Sequence, residues 1–237
     1  MTEIGQSAFA SCANMTKILV AEGNPAYASV DGVLYQADMT VLLQCPAGKT
    51  GGMAIPSGVT VIGEFAFDFC TKLTSVTIPD EVTDIGDYAF IRCRGLERAV
   101  IGTGVTRIGA FVFSGCAGLS EIRFKGSAPE IGTYAFYSVT ADVYYPADDS
   151  SWTDEVRQSY RGTLTWLPWD PSPVSGDVNG DGTVDNADLI RMRKALVGTP
   201  ATEIEETNSD VNGDGTVDLL DLVRMLKYFA GMDVTLE

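Results

Sequence analysis

Two segments near the C-terminus hold the residues best placed to do chemistry. They read Asp177-Val-Asn-Gly-Asp-Gly-Thr-Val-Asp-Asn-Ala-Asp188 and Asp210-Val-Asn-Gly-Asp-Gly-Thr-Val-Asp-Leu-Leu-Asp221, 33 residues apart. Oxygen-bearing groups fall at places 1, 3, 5, 7, 9 and 12, and Gly182 and Gly215 stand at place 6, where the chain must turn sharply. A twelve-residue loop surrounds calcium with this spacing, and calcium is a hard ion that takes six to eight oxygens at roughly 2.3–2.6 Å. The first loop would offer Asp177, Asn179, Asp181, the Thr183 carbonyl, Asp185 through a water, and Asp188. The second would offer Asp210, Asn212, Asp214, the Thr216 carbonyl, Asp218 and Asp221. Without a cation, the four carboxylates of each tight loop repel one another. The expectation is two bound calcium ions.

Each loop is followed by a helix signal, in ADLIRMRKALVG closed by Gly198 and in LLDLVRMLKYFAG closed by Gly231. Leu189, Met192 and Leu196 lie on one stripe, as do Leu222, Met225 and Phe229, and the two stripes should form the core. Prolines in WLPWDPSPVSG (166–176) break any helix ahead of the first loop, so each unit reads as loop then helix, without the entering helix of a calcium sensor. Place 12 is Asp (Asp188, Asp221) rather than the usual Glu; one methylene shorter, it brings the helix start closer to the ion.

The duplicated D-x-N-G-D-G-x-V-x-x-x-D loop with its helix resembles a type I-related dockerin over about 176–237. The resemblance implies a small all-α calcium-binding module whose partner is the cohesin domain of a scaffoldin, as in cellulosomes, the secreted fibre-degrading assemblies of anaerobic bacteria. Carried over by position, the partner-binding residues are Asn186, Ala187, Arg193 and Lys194 on the first helix, and Leu219, Leu220, Val223, Leu226 and Lys227 on the second. Leu219, Leu220 and Leu226 fall off the core stripe, so they should form an exposed apolar patch that wants covering. A further expectation is a clasp between Trp169, Pro171 and Pro173 ahead of the module and Met232, Val234 and Leu236 at its end.

The elements before the module repeat. Ile-Gly recurs at Ile62, Ile85, Ile108 and Ile131, every 23 residues, followed five places on by Phe67, Phe90, Phe113 and Phe136. Cys70, Cys93 and Cys116 follow at place eight, then Leu73, Leu96 and Leu119, then strand-like pairs such as Val76 and Ile78. A fixed period in this range with recurring apolar positions marks a solenoid, whose coils share one continuous core. Ile4, Phe9 and Cys12 fit the same frame, with a 35-residue insert before Ile62 in which Val33–Tyr35 and Val41–Leu43 flank a polar turn, expected as a β-hairpin on the end of the stack. Cys12, Cys70, Cys93 and Cys116 should stack inside the core as small apolar groups, since parallel side chains diverge from any common metal centre; Cys45 has no evident partner. Aromatic-rich residues 152–169 should cap the last coil.

The pattern V-T-x-I-G-x-x-A-F-x-x-C-x-x-L-x-x-I-x-I-P resembles the BspA-like leucine-rich repeats of bacterial surface proteins over roughly 1–165. The expected fold is therefore an α/β repeat solenoid of mostly short strands and turns (1–165, hairpin insert at about 23–57, C-terminal cap), a Pro-rich linker (166–176) and the dockerin (177–237).

Composition agrees. The net charge of −16 disfavours nucleic acid and anionic membrane as partners and suits a cation binder. Residues 177–237 hold 13 acidic and 5 basic side chains, the same net −8 as the first 176 residues, which are about three times as many. Histidine is absent, which removes the commonest general base, and Ser and Cys have no base to activate them. The opening MTEIGQSAFA is no signal peptide and reads as the middle of a repeat, as in a piece of a longer chain. The expected function is non-catalytic: the solenoid binds a protein or glycan, and the dockerin ties it to a secreted, extracellular or cell-surface assembly. The alternative is cargo of a polysaccharide- or protein-degrading enzyme whose catalytic domain lies outside these residues. A sheet-face row of Thr77, Val100, Arg123 and Tyr144 offers no aromatic platform, which tilts the solenoid towards a protein target.

Overall fold

The computed structural model describes residues 3–4, 8–9, 12–169, 175–178, 184–198, 204, 206–232 and 234–236. The chain forms two compact units, Met1–Asp170 and Pro171–Glu237.

The first unit is a solenoid of strands and turns, with no helix among its described residues. Each repeat gives two strands. The Ile of each Ile-Gly pair sits in a short strand: β5 (Val61–Ile62), β7 (Asp84–Ile85), β9 (Arg107–Ile108) and β11 (Glu130–Ile131). The end of each repeat forms a longer strand: β6 (Leu73–Ile78), β8 (Arg98–Ile101), β10 (Glu121–Phe124) and β12 (Thr140–Pro146), with β13 (Thr163–Trp169) beyond. Both sets pair in parallel, with coils exactly one repeat apart in register, as in Ile62↔Ile85↔Ile108 and Thr77↔Val100↔Arg123. Identical positions therefore stack. The Phe67, Phe90, Phe113 and Phe136 rings lie 4.5, 5.3 and 5.7 Å apart in the core, near the spacing that favours offset stacking.

A second aromatic file runs parallel to it. Phe65, Tyr88, Phe111 and Tyr134 stack at 4.9, 5.1 and 4.9 Å and within 6° of coplanar. All four have φ between 57° and 59°, a left-handed turn that residues with a Cβ adopt at some cost. The recurrent stacking of a ring on the same strained turn offsets that cost. Because the rings lie face to face, they present edges rather than faces to solvent, and Arg161 lies 5.3 Å from the centre of the last ring, Tyr134.

The insert differs from expectation. Its hairpin forms, with β1 (Tyr27–Val30), β2 (Val33–Gln36) and β3 (Val41–Gln44) antiparallel in sequence. Yet β3 also pairs in parallel with β5, and β4 (Gly51–Ala54) with β6, so residues 41–54 form a shortened coil of the stack itself. This reassigns the cysteines. Cys12 is exposed, whereas Cys45 is buried and its carbonyl lies against the Cys70 thiol at 3.9 Å. The buried file is thus Cys45, Cys70, Cys93 and Cys116, because residues 41–54 build the coil beneath Cys70. The Cys93 and Cys116 thiols donate to the Phe67 and Phe90 carbonyls, each at 3.0 Å.

At the other end, the aromatic cap is present: Trp152 packs between Phe124, Tyr145 and Trp166. Residues 166–169, expected to open the linker, are instead the second half of β13. Trp169 has a specific task there. The register that sets the Asp142 N–H on the Ser120 carbonyl would set residue 146 on the Phe124 carbonyl, but Pro146 has no N–H. The Trp169 indole N–H reaches that carbonyl at 3.0 Å and fills the gap. Its ring and that of Tyr144 each lie 5.0 Å from the Arg123 guanidinium, so Arg123 is buried against aromatic faces and paired with Glu121 rather than displayed.

Among the described residues, Asp68 is the one acid of the repeat turns with a buried oxygen, Oδ1, that has no hydrogen-bond partner. Burial pushes its carboxyl above the ordinary range, opposed by Arg92. A raised folded pKa means that the charged form destabilises the fold once pH exceeds the unfolded value near 3.9. Asp68→Asn is therefore expected to raise the solenoid's melting temperature at pH 7, with the gain vanishing near pH 3. A lower melting temperature at pH 7 would contradict this.

Candidate calcium loops and binding face

In the second unit, helices α1 (Asn186–Leu196) and α3 (Leu219–Phe229) pack around Val178, Met192, Val211, Leu222 and Met225, with Leu189, Leu196 and Phe229 at the margin. All six stripe residues expected in the core are there. A one-turn helix, α2 (Glu206–Ser209), precedes the second loop, where no entering helix was expected.

Both long helices start in the same way. Asp185 and Asp218 are N-caps, and Asp188 and Asp221, three residues on, return bonds to the cap N–H groups at 2.7 and 2.8 Å. This reciprocal arrangement satisfies two orphan donors at each helix start. Asp188 and Asp221 are completely buried. Place 12 of each loop is thus the third helical residue, which draws the shorter side chain inward.

The second loop is described throughout. The Asp210 carboxylate accepts from the N–H groups of Gly213, Asp214 and Gly215 at 2.9, 3.2 and 2.7 Å. Asn212 accepts from Asp214 N–H at 2.9 Å, and Asp214 accepts from both the amide and the hydroxyl of Thr216. The Thr216 hydroxyl holds the Asp214 carboxyl below its ordinary range, so it remains charged to lower pH. Gly215 takes φ +86° at the sharp turn, where a side chain would be strained. Asp221 closes the loop by accepting from Asn212 N–H at 3.1 Å.

These residues fit a hard divalent cation. The donors are all oxygen, and Asp221 is a fully buried carboxylate whose hydrogen-bond partners are the backbone N–H groups of Asn212 and Asp218. Buried charge is ordinarily paired or bound to metal. Among the described residues, no three acidic side chains converge closely enough to share an ion. In the second loop, Asp210, Asp214, Asp218 and Asp221 each accept from a nearby backbone N–H. In the first loop, Asp177 and Asp188 are buried and Asp185 is exposed, while Asn179, Asp181 and Thr183 lie outside the described residues.

All nine residues carried over as partner contacts are exposed: Asn186, Ala187, Arg193 and Lys194 on α1, and Leu219, Leu220, Val223, Leu226 and Lys227 on α3. Leu219 and Leu220 are 65% and 61% exposed, Val223 38% and Leu226 44%. Sequence reasoning missed Ile190 and Val197, which are 52% and 78% exposed and line a groove of about 610 Å³ with Arg193, Lys194, Val217 and Leu219. Their position off the α1 stripe was the available signal. Of the residues expected to clasp, Trp169 ends β13, Met232 is exposed, and Pro171 and Pro173 lie outside the described residues. Leu236 packs on the helical core beside Gly176, and a Cβ on Gly176 would come within 2.5 Å of it.

A parallel-stacked repeat solenoid and a pair of acidic loop–helix units define two non-catalytic modules of known kinds. Residues 49–147 match the BspA type leucine rich repeat region in six copies, and residues 175–230 match the dockerin type I domain. The chain thus carries a BspA-type leucine-rich repeat region followed by a type I dockerin domain. Among solved structures, it is similar to a leucine-rich repeat protein from Eubacterium ventriosum, with 28% identity, TM-score 0.52, and coverage of 71% of this chain and 45% of that one. It is also similar to a leucine rich cell surface protein from Faecalibacterium prausnitzii, with 28% identity, TM-score 0.58, and coverage of 72% and 46%. The chain spans less than half the length of either. No curated protein matches it. Modules of both kinds are typical of extracellular or cell-surface proteins, and among the described residues no helix is long and apolar enough to cross a membrane.

Proposed function

We propose that this chain is a non-catalytic, secreted component of a cellulosome-type assembly, in which two calcium ions hold the dockerin in shape for a cohesin while the solenoid binds a protein or glycan. The observation that carries this reading is the exposed row Leu219, Leu220, Val223 and Leu226 on the helix that the second acidic loop starts. Apolar side chains this exposed need a partner surface. Calcium supplies the positive centre that lets the carboxylates of each loop lie together. Asp177, Asn179, Asp181, Thr183, Asp185 and Asp188 would hold one ion, and Asp210, Asn212, Asp214, Thr216, Asp218 and Asp221 the other. Asp218 and Asp221 also cap α3, so the groups that would bind the ion fix the first turn of the recognition helix.

The two helices do not present equal faces. Where α3 offers Leu219, Leu220 and Leu226, α1 offers Asn186, Ala187 and Arg193. One docking orientation, led by α3, follows. In a titration of the full chain against a panel of cohesins with calcium present, Leu219→Ala with Leu220→Ala is expected to weaken binding by on the order of 10- to 100-fold. Arg193→Ala with Lys194→Ala, at the rim, should cost far less. Equal losses for the two pairs would refute the single orientation, and unchanged affinity for the leucine pair would refute the face.

A further inference from the structure

Between α1 and the second loop lies a contact that helix capping and partner recognition leave unexplained. Asn208, in the one-turn helix α2, is only 8% exposed, and its side-chain amide donates to the Asp177 carbonyl at 3.0 Å. Its own carbonyl accepts from Gly176 N–H at 2.7 Å. Asp177 is place 1 of the first loop, and Asn208 stands two residues before Asp210, place 1 of the second. The same residue therefore pins the entry of one loop to the entry of the other.

Packing reinforces this tie. Val178 and Val211, place 2 of each loop, are both fully buried in one cluster with Met192 and Met225. Gly176 takes φ +93° with Val184 and Leu236 pressed against the space where a Cβ would stand, so the turn entering the first loop has little freedom to shift. Asn208 is a hydrogen-bonded link between the two loop entries, and buried hydrogen bonds of this kind transmit a change because leaving their partners unsatisfied is costly.

We propose that Asn208 is a coupling residue that makes calcium uptake by the two loops cooperative, filling of one loop raising the affinity of the other. This rests on the reading of both loops as calcium sites. Asn208 touches neither ion; it positions Asp177 and, through the two following residues, Asp210. By linkage the effect is reciprocal between the loops.

The test is a thermodynamic cycle read by calorimetric titration of the full chain with calcium alone. Asn208→Ala and Asn208→Ser are each placed in the native background and in one where Asp181→Ala disables the first loop. The expected result is cooperative uptake of two ions by the native chain, with roughly fivefold weaker uptake at the second loop on losing the Asn208 amide. In the Asp181→Ala background, the same substitutions should change second-loop affinity by less than twofold. An equal loss in both backgrounds would make Asn208 a merely structural residue and overturn the coupling, as would two independent sites in the native chain. No calcium uptake by the native chain is a distinct outcome, which removes the calcium reading and the coupling with it. Should Asn208→Ala fail to give a folded module by circular dichroism in excess calcium, Asn208→Ser alone decides the question.

Discussion

Chelation of calcium is expected to abolish cohesin capture and to melt the dockerin, while the solenoid keeps its own unfolding transition. The two modules are separate compact units, so loss of one need not carry the other. Among the described residues, five apolar side chains are buried in the dockerin core, Val178, Met192, Val211, Leu222 and Met225. Modules this small ordinarily need a metal or a disulfide to persist. Against that core stand eight loop carboxylates, of which Asp177, Asp188 and Asp221 are buried. An ion present at about 100 times its dissociation constant contributes about 2.7 kcal/mol, so two would supply most of a small domain's stability. Differential scanning calorimetry with and without chelator checks this, alongside cohesin binding under the same conditions. A dockerin transition and a cohesin affinity both indifferent to chelator would end the proposed mechanism.

The second large effect lies in the solenoid. Phe113→Ala is expected to destabilise it by about 3–5 kcal/mol, the usual cost of deleting a buried aromatic ring. The Phe113 ring is completely buried and stacks on Phe90 at 5.3 Å and on Phe136 at 5.7 Å, so one deletion damages the interfaces on both sides of a middle coil. In a repeat stack, stability is close to a sum of coil and nearest-neighbour terms, and a broken interior interface divides the array. Tyr137→Ala, at a 49% exposed ring outside the buried Phe file, should cost less than about 0.5 kcal/mol. Urea unfolding monitored by circular dichroism distinguishes them. Similar midpoints for the two variants would show that the Phe file does not hold the coils together.

Much of this was written in the residue pattern. The 23-residue period fixed which residues stack, because a parallel solenoid places each position over its counterpart; Phe67 to Phe136 and the row Thr77, Val100 and Arg123 lie where the period puts them, while Tyr144 pairs with Arg123 two residues ahead of that period. The loop rule gave Asp185 and Asp218 as place-9 oxygens; that the same two residues cap α1 and α3 came only with the structure. Exposure of Leu219, Leu220 and Leu226 followed from helical spacing alone.

Tertiary structure decided what periodicity does not encode. Residues 41–54 lack the full repeat and yet close a coil, because strand pairing needs only backbone donors and a buried Leu42 and Cys45, not the consensus residues. Trp169 had no period to reveal it; it is placed by a missing N–H at Pro146, a defect visible only once β12 is set beside β10. Asn208 is an ordinary polar residue in sequence and becomes a link between two loops only when folding brings it against Asp177, 31 residues away. A repeated local pattern can specify local geometry, but contacts between unlike positions depend on how the chain closes in space.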